Sequence, residues 1–249
     1  MKVFPPAWFP WILGIVLLFS APRAGAQGNV MQAPAPGAAA HFVSLAAFDL
    51  PQILPAPPAP GSLAARADLE TVLQAQAWRT DEQLAWAQLI EKQTVFTVFG
   101  PILGTGFTAG NFPALVQLLA DVGDDIRSIS EAAKKVYPRA RPYVVDPRVQ
   151  PCVAAPKNDT YPSGHALNAH LMAAILTRLF PAKEAVLAEQ ARRACWGRIL
   201  GGVHFPTDLE AGRLLAVAVV TQLDRNAEFR AGLARCQAEA GSKPQRKAA

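Results

Sequence analysis

The 249-residue sequence contains little cysteine, the residue that forms disulfide bonds and many structural zinc sites. It has three cysteines, Cys152, Cys195 and Cys236, and none of them has a second cysteine or a histidine at the spacing of a zinc site. No structural metal site is therefore expected. In an oxidising compartment two of the cysteines could pair and one would be left over, and the sequence does not determine which.

The sequence also lacks a long apolar run after its first residues. No later segment reaches about 20 consecutive apolar residues, the length of a membrane-spanning helix, so stable membrane insertion is not expected. One shorter run, Trp11–Ser20, follows Lys2 and precedes Ala24-Gly25-Ala26, which fits a signal-peptide cleavage site. We predict a signal peptide over residues 1–26, cleaved after Ala26, and a periplasmic or secreted mature protein.

The sequence shows no sustained alternation of apolar and polar residues, the pattern that predicts β-strands. Apolar residues instead recur at three- and four-residue steps from Ser62 onward, which predicts helices. We therefore expect a single all-α domain, a helical bundle, over residues 63–240, followed by a basic disordered tail at residues 241–249. Residues 27–62 are rich in Ala, Pro and Gly and are expected to form an extended segment over the surface. The side chains predicted to hold this segment are Phe42, Leu45, Phe48 and Leu50.

Local signals predict the bounds of several helices and loops. Thr80 and Gln83 form a capping box, which starts a second helix or a continuation of the first at Leu84–Lys92. Gly100–Pro113 holds four glycines and two prolines and is predicted to be a loop. Residues 136–162 hold six prolines and are predicted to form an irregular, functional loop. The other long helices are predicted at about Leu115–Lys135, Gly164–Leu179, Lys183–Leu200, Asp208–Leu223 and Asn226–Ala240.

Positive charge is concentrated in one region of the chain. Residues 134–159 carry six lysines and arginines against two aspartates. A solvated basic face or a nucleic-acid surface would have the same composition. Aromatic residues are not interleaved with these basic residues, so nucleic-acid binding is not favoured. A compact basic cluster equally suits a small anionic ligand, and three motifs favour that interpretation.

The first motif is Lys134 followed, after six residues, by Arg141 and Pro142. Lysines and arginines commonly end helices, where they interact favourably with the helix dipole, so this segment alone is weak evidence. As chemistry, two fixed cations would hold phosphoryl oxygens, and the planar guanidinium of Arg141 can bind two of them at once.

The second motif is Ser163-Gly164-His165, which stands at the start of a helical pattern. Ser163 is a good N-cap residue in its own right. The first N–H groups of a helix also form an anion-binding site, and Gly164 allows a ligand to approach them closely. His165 would then be placed to donate a proton to a leaving oxygen.

The third motif joins Arg198, His204 and Asp208. Arg198 offers another guanidinium for a phosphoryl group. Asp208 can hold one nitrogen of the His204 imidazole, so that the other nitrogen faces a substrate as the nucleophile. Asp208 also fits the N-cap of the helix that follows, and one residue can serve both purposes.

In this order the three motifs resemble the signature of the type 2 phosphatidic acid phosphatase superfamily, K-x6-RP, PSGH and SR-x5-H-x3-D. The matching residues are Lys134, Arg141, Pro142, Pro162, Ser163, Gly164, His165, Arg198, His204 and Asp208. Gly197 stands where the family usually has serine. The YPSGH block and Gly202–Gly212 further resemble the soluble, exported bacterial class A non-specific acid phosphatases. Asp159-Thr160 stands where those enzymes often have Gly-Ser.

The resemblance implies packed helices with the active site at converging helix ends and loops. It implies a phosphatase without metal or cofactor, which hydrolyses small-molecule phosphate monoesters with broad specificity. His204 would be the nucleophile that forms a phosphohistidine, Asp208 its orienting acid and His165 the proton donor. The phosphate-binding residues would be Lys134, Arg141, Ser163, Gly164 and Arg198. Activity on the acid side is expected, because His165 must be protonated while His204 is neutral.

Related functions use the same kind of pocket and stay open at this point. A lipid phosphate phosphatase or a phosphotransferase would keep these residues, and a vanadium haloperoxidase would hold vanadate with them, although such enzymes tend to be larger. An inactive phosphate-binding helical domain would need the cations, but not a nucleophile with its orienting acid. The sequence determines neither the physiological substrate nor the oligomeric state, for which a homo-oligomer is one possibility.

Overall fold

The computed structural model describes residues 40–242. The predicted signal peptide, the first part of the Ala/Pro-rich segment and residues 243–249 of the predicted tail lie outside the described residues. Within residues 40–242 the chain forms ten α-helices and two short 3-10 helices but no strand, which confirms the all-α prediction. None of these helices combines the length and the apolar composition of a membrane span. The α-helices are α1 (Leu50–Ile53), α2 (Leu63–Ala77), α3 (Asp81–Glu91), α4 (Val95–Leu103), α5 (Pro113–Val136), α6 (Pro142–Val145), α7 (Gly164–Leu179), α8 (Glu184–Leu200), α9 (Pro206–Leu223) and α10 (Ala227–Gly241).

Side-chain caps start several of these helices. The predicted capping box at Thr80 is present: its hydroxyl accepts from the N–H of Gln83 at 3.2 Å, and the Gln83 side chain accepts from the N–H of Thr80 at 3.1 Å. A cap of this kind contributes about 1 kcal/mol. Because α2 ends at Ala77, the box starts a separate helix rather than a continuation of the first.

The loop predicted over Gly100–Pro113 begins later than expected. Helix α4 continues through Gly100 and Pro101 and ends at Leu103. Its buried side chains are Val95, Val98 and Phe99, on a helix that packs against α8. Burial of this apolar face outweighs the helix-breaking tendency of one glycine and one proline near the end of the helix.

Two more helices differ from the predicted pattern near the site. The short α6, Pro142–Val145, interrupts the segment that was predicted to be irregular. Helix α9 begins at Pro206 and not at Asp208. Both helices start with a proline, whose fixed φ and missing N–H suit the first helical position. The earlier start of α9 places Asp208 in its first turn.

Helix α7 lies at the centre of the bundle. It packs against α8 and α9 and also contacts α5 and α10, and its predicted bounds, Gly164–Leu179, are confirmed. At Gly212 of α9 a Cβ atom would lie 2.5 Å from the carbonyl oxygen of Ser163 and 2.8 Å from the Cβ of Ala166. Only glycine permits this approach of α9 to the start of α7. The same approach lets the N–H of Ser163 donate to the carbonyl oxygen of Asp208 at 2.9 Å.

The described part of the N-terminal segment does more than cover the surface. Phe48 and Leu50 are buried in the main core, whereas Leu45 is 41% exposed. The buried carboxylate of Asp125, on α5, accepts hydrogen bonds of 2.8–2.9 Å from the backbone N–H groups of three consecutive residues, His41, Phe42 and Val43. A charged acceptor on α5 therefore holds this segment together with its apolar side chains.

All three cysteines lie within the described residues, and none is paired there. Burial raises the pKa of the Cys195 thiol to about 12 and that of Cys236 to about 11. These two thiols are therefore protonated and unreactive at neutral pH.

Candidate active site

The eight predicted site residues come together where helix ends meet. Arg141 contacts His204, with 3.1 Å between Nη1 and Nε2. Lys134, near the end of α5, donates to the carbonyl oxygen of Pro162 at 2.8 Å, directly before Ser163 and Gly164. The charges of Arg198 and Arg141 both lower the pKa of His165, so these groups lie near one another.

His204 lies in the turn between α8 and α9, where Gly202 adopts a φ of 72°. Its side chain is buried, and its Nε2 atom lies 3.1 Å from Nη1 of Arg141. Because a guanidinium has only N–H donors, Nε2 accepts this hydrogen bond and carries no proton. The proton of the neutral ring is therefore on Nδ1. This is the tautomer that attack through Nε2 requires.

The surroundings of His204 keep its ring neutral. Burial is the largest effect and lowers the pKa of His204 to about 3, and the charges of Arg141 and Lys134 act in the same direction. The hydrogen bond with Asp208 opposes them without cancelling them. The imidazole consequently keeps its lone pair at mildly acidic and neutral pH.

Asp208 is fully buried, with Oδ2 at 3.3 Å from Nδ1 of His204. This distance is longer than an ordinary N–H···O hydrogen bond. Oδ2 also accepts from the backbone N–H of Phe205 at 2.8 Å. Since α9 starts at Pro206, the prediction that Asp208 is an N-cap residue is wrong. The carboxylate nevertheless satisfies a helix-start N–H by reaching back from the first turn.

Two residues outside the predicted set complete the surroundings of Asp208. Oγ1 of Thr160 lies 2.6 Å from Oδ2 of Asp208 and 2.9 Å from Nδ1 of His204. Arg139 donates to Oδ1 of Asp208 at 2.6 Å and to Oδ2 of Asp68 at 2.7 Å. Burial raises the pKa of Asp208, but the hydrogen bonds from His204 and Thr160 and the charge of Arg139 outweigh it, so the pKa is lowered. The carboxylate is therefore ionised.

Arg139 is itself held from several sides. Its guanidinium carbon lies 4.2 Å from the ring centroid of Phe205, and Nη1 donates to the Thr207 hydroxyl at 2.7 Å. The Thr207 hydroxyl in turn bonds the carboxylate of Asp68 on α2. Helix α2 is thereby tied to the start of α9.

The residues that sequence reasoning missed differ in the signal they carry. Arg139 stands two residues before Arg141 in the same basic segment, and Thr160 directly precedes the YPSGH block. Both were within reach of a motif-based prediction. Asp68 lies about 70 residues before its partner Arg139, in an ordinary amphipathic helix, and no local pattern indicates it.

Lys134 and Arg141 keep their positive charges without a carboxylate partner. Nζ of Lys134 donates to the carbonyl oxygens of Asp159 and Pro162 at 2.7 and 2.8 Å. Arg141 donates mainly to Asn158, through its carbonyl and side-chain oxygens, and to the carbonyl oxygen of Val203. Burial, followed by the charge of Arg141, lowers the pKa of Lys134 to about 8. The cations are fixed in place, and their charges stay available to an anion.

Arg198, near the end of α8, is 1% exposed. Its Nε and Nη1 atoms have no hydrogen-bond partner anywhere in residues 40–242. Burial lowers the pKa of Arg198 to about 10, so the side chain is charged at neutral pH. A buried charge with unsatisfied donors is unfavourable by several kcal/mol. An anion with oxygen acceptors would offset this unfavourable free energy by pairing the charge and the donors.

The start of α7 supplies neutral donors to the same pocket. Ser163 is its N-cap residue, as predicted, and its Oγ accepts from the N–H of Ala166 at 3.3 Å. A Cβ at Gly164 would meet only Oγ of Ser130, at 3.4 Å, so packing within the protein does not require glycine there. The first N–H groups of α7 and its helix dipole favour an anion beside the unpaired guanidinium of Arg198.

His165 contacts the junction between α3 and α4. Its Nε2 lies 3.2 Å from the carbonyl oxygen of Glu91, and its own carbonyl oxygen accepts from the Gln93 side chain at 3.1 Å. A carbonyl oxygen only accepts, so Nε2 of His165 carries a proton. Burial, followed by the charge of Arg198, lowers the pKa of His165 well below its ordinary value.

Gly197 replaces the serine that the signature usually has at this position. A Cβ atom there would lie 3.2 Å from Cγ1 of Ile90 and 3.3 Å from Nε1 of Trp86. Trp86 is fixed in that place, because Nε1 donates to the carbonyl oxygen of Arg193 at 2.9 Å. Helix α3 therefore occupies the space that a serine side chain would need.

An open cavity of about 800 Å³ lies beside two of the predicted site residues. Lys134 and Arg141 form part of its lining, with further positive charge from Lys135, Arg139 and Lys157 against two acidic residues, Glu131 and Asp159. A cavity with this lining attracts small anions by long-range electrostatics.

Comparison with known proteins supports this description. The sequence model of the PAP2 superfamily matches residues 114–226, a range that contains all eight predicted site residues. A non-specific acid phosphatase of Salmonella typhi is 27% identical over 202 residues, which cover 76% of this chain and 79% of that phosphatase. A non-specific acid phosphatase of Providencia stuartii is 26% identical over 201 residues, covering 78% of this chain and 81% of that phosphatase.

Solved structures share the fold. A holo-type bacterial vanadium-dependent chloroperoxidase has a TM-score of 0.59 at 14% identity over 80% of this chain and 54% of the peroxidase, so this chain spans about half of its length. A bacterial vanadium-dependent iodoperoxidase has a TM-score of 0.52 at 19% identity, covering 70% of this chain and 54% of that protein. At such identities the likeness concerns the fold alone. By its motifs, its family match over residues 114–226 and its relatives, the chain matches the PAP2 superfamily.

Proposed function

We propose that the protein is an acid phosphatase that hydrolyses a broad range of phosphate monoesters through a phosphohistidine at His204. The observation that carries this proposal is the state of His204, a buried neutral imidazole whose Nε2 carries no proton and lies against Arg141. A protein that only binds phosphate would need the cations, but not an imidazole held in this tautomer. The acid phosphatases among its relatives support the same activity.

The phosphoryl group would bind between three cations and the start of α7. Lys134, Arg141 and Arg198 would contact its oxygens, and the unpaired Nε and Nη1 of Arg198 would gain acceptors. The N–H groups near Ser163 and Gly164 would bind the remaining oxygen atoms. Stabilising charge on these oxygens accounts for most of phosphoryl-transfer catalysis.

In the first step, Arg141 shifts its hydrogen bond from Nε2 of His204 to a phosphoryl oxygen, and Nε2 attacks phosphorus as the ester P–O bond breaks. The leaving oxygen takes a proton from His165. Nε2 of His165 is bonded to the Glu91 carbonyl oxygen, so Nδ1–H of the protonated ring is the donor. The phosphorylated imidazole of His204 becomes positively charged, and the Asp208 carboxylate behind Nδ1 stabilises that charge.

In the second step, water replaces the departed alcohol. Neutral His165 takes a proton from this water while the water oxygen attacks phosphorus. The P–Nε2 bond breaks, and inorganic phosphate and a neutral His204 result. Both steps use the same residues in opposite acid–base roles.

The pH dependence follows from three groups. His204 is neutral above about pH 3, and Lys134 loses its charge as pH rises through about 8. His165 must carry a proton, and the pKa of its free form is lowered well below the ordinary value. A bound phosphoryl dianion raises it, because negative charge offsets the nearby arginines. Activity should therefore rise as pH falls below neutral.

The direct test uses the mature chain from Gln27, a chromogenic aryl phosphate and a chelator, with pH varied from about 4 to about 8. We expect turnover that increases toward acid pH. His204→Ala should lose it and form no phosphoenzyme, whereas His165→Ala should accumulate an acid-labile phosphohistidine. His170→Ala is the matched control, because His170 lies on the same helix as His165 but lines a separate cleft with Arg192 and Arg213.

Two results would contradict the proposal. One is the absence of turnover, or turnover that only a divalent metal restores. The other is substantial activity in His204→Ala, which would exclude this residue as the nucleophile.

Export is a separate part of the proposal, based on the predicted signal peptide. N-terminal sequencing of the protein from a periplasmic extract or culture medium should begin at Gln27. A protein that stays in the cytoplasm with residues 1–26 attached would show that this part is wrong.

A further inference from the structure

The direct contact between His204 and Asp208 is not the shortest link between them. Nδ1 of His204 lies 3.3 Å from Oδ2 of Asp208 but 2.9 Å from Oγ1 of Thr160. The same Oγ1 lies 2.6 Å from Oδ2. Thr160 is fully buried, so no solvent competes for its hydroxyl.

The donors and acceptors along this link follow from chemistry. Arg141 donates to Nε2, so the ring proton of His204 is on Nδ1. The ionised carboxylate of Asp208 only accepts. The Thr160 hydroxyl must therefore accept from Nδ1–H and donate to Oδ2, which uses its single proton. Its other acceptor, the carbonyl oxygen of Val203, is farther away at 3.4 Å.

We propose that Thr160 is a positioning residue, whose hydroxyl transmits the hydrogen bond from Nδ1 of His204 to Asp208. It sets the angle at which Nε2 meets the phosphoryl group, and it stabilises the positive ring after phosphorylation. This inference rests on the proposed function, because it assigns a part in the same reaction. Charge-assisted hydrogen bonds through a buried hydroxyl are stronger than one long contact.

The fold holds Thr160 rigidly enough for this role. Its N–H donates to the carbonyl oxygen of Arg139 at 2.9 Å. The carbonyl oxygens of its neighbours Asp159 and Pro162 are both bound by Nζ of Lys134. The Asp159 side chain accepts from the N–H of Arg139 at 3.0 Å. The segment that carries Thr160 is thus fixed by the residues that line the phosphate pocket.

The test compares two substitutions at one position. Thr160→Val keeps the shape but removes the hydroxyl, and should lower kcat by about 10- to 100-fold, the equivalent of one hydrogen bond to a charged group. Thr160→Ser keeps the hydroxyl and should stay within about threefold of the wild type. KM and inhibition by inorganic phosphate should change little in both variants, because Thr160 does not face the phosphoryl group. Thr221→Val controls for the replacement of threonine by valine as such, since Thr221 lies exposed near the C-terminal end of α9.

A second measurement is independent of turnover. In 15N NMR spectra, with His204 identified by the His204→Asn variant, the Nδ1–H proton should exchange slowly in the wild type and in Thr160→Ser. It should exchange rapidly in Thr160→Val. If the wild type shows no phosphatase activity at all, the proposed function fails, and this spectrum still tests the link through Thr160.

Three outcomes would overturn the inference. The first is a kcat for Thr160→Val within about twofold of the wild type. The second is an equal loss in Thr160→Ser, which would indicate a packing role. The third is an unchanged Nδ1–H signal in Thr160→Val, which would mean that Asp208 alone holds the ring.

Discussion

The two sides of the His204 ring differ in how completely their polar groups are paired. On the Nδ1 side, formed by Asp208, Thr160, Arg139 and Asp68, Asp208 accepts from Arg139, Thr160 and a backbone N–H. On the Nε2 side, Arg141 is paired with Asn158 and Val203. Two nitrogens of Arg198 and Oε1 of Gln93 on that side have no partner within residues 40–242. Folding alone satisfies the side that orients the ring. The side that would meet a substrate keeps donors and an acceptor for it.

This difference has opposite consequences for stability and for activity. Buried groups that are fully paired stabilise the fold, and removing one leaves its partners unsatisfied. A buried charge without a partner destabilises the fold, and its retention is understandable if a ligand uses it. Substitutions on the two sides should therefore move stability in different directions.

The largest effect is expected for Arg198→Met, on the Nε2 side. This change removes an uncompensated charge and keeps most of the side-chain volume. We expect kcat/KM to fall by about 100- to 1000-fold, as for the loss of other charge-stabilising donors. The free energy of unfolding should stay the same or rise by about 1 kcal/mol, because no buried charge is left unpaired.

Arg192→Met, on the same helix, is the matched control, since Arg192 is exposed and pairs with Glu189. Urea unfolding and steady-state kinetics measure both effects. Inorganic phosphate should raise the Tm of the wild type and raise it less in Arg198→Met. A large loss of stability in Arg198→Met would show that this arginine is needed for folding rather than for a ligand.

The next largest effect is expected for Arg139→Met, on the Nδ1 side. The carboxylates of Asp208 and Asp68 would lose a shared buried cation. Breaking a buried ion pair from one side costs about 3–5 kcal/mol of unfolding free energy. Urea unfolding should detect this loss, and Arg213→Met, which disrupts an exposed pair with Glu210, should show little change. If Arg139→Met were as stable as the wild type, the paired groups on the Nδ1 side would not stabilise the fold more than the unpaired groups on the Nε2 side.

A smaller effect is expected from pH. Burial lowers the pKa of His204 to about 3, so below about pH 6.5 the unfolded chain binds a proton that the folded chain does not. The free energy of unfolding should therefore fall as pH decreases from about 6.5 to about 5, by about 1–2 kcal/mol from this residue. His204→Asn should lose that part of the pH dependence in urea unfolding. If the unfolding free energy of the wild type and of His204→Asn depended on pH in the same way, the lowered pKa of His204 would be contradicted.

The smallest effect is expected for Gly197→Ser, which introduces the serine of the superfamily signature. The new Cβ would crowd Ile90 and Trp86, at a cost of about 1 kcal/mol. Activity should change by no more than a few-fold, because the ring of His204 and its partners are untouched. Thermal unfolding should show the loss. An unchanged Tm in Gly197→Ser would mean that Ile90 and Trp86 on α3 move to accommodate the new side chain.

Much of the fold was predictable, because helix signals are local. The bounds of α7 and the capping box at Thr80 follow from residues a few positions apart. The errors occurred where distant contacts outweigh local tendency. Helix α4 continues through Gly100 and Pro101 because its apolar face packs against α8, and proline at the first position starts α9 before Asp208.

The amino-acid sequence by itself determined the residue types of the candidate site and their order, since short motifs place these cations, histidines and a carboxylate at fixed spacings. Only the tertiary structure decided how they are connected. Arg141 sets the tautomer of His204, Thr160 links it to Asp208, and Asp68 anchors Arg139 from another helix. The physical reason is that a hydrogen bond depends on tenths of an ångström between atoms that folding brings together from distant parts of the chain.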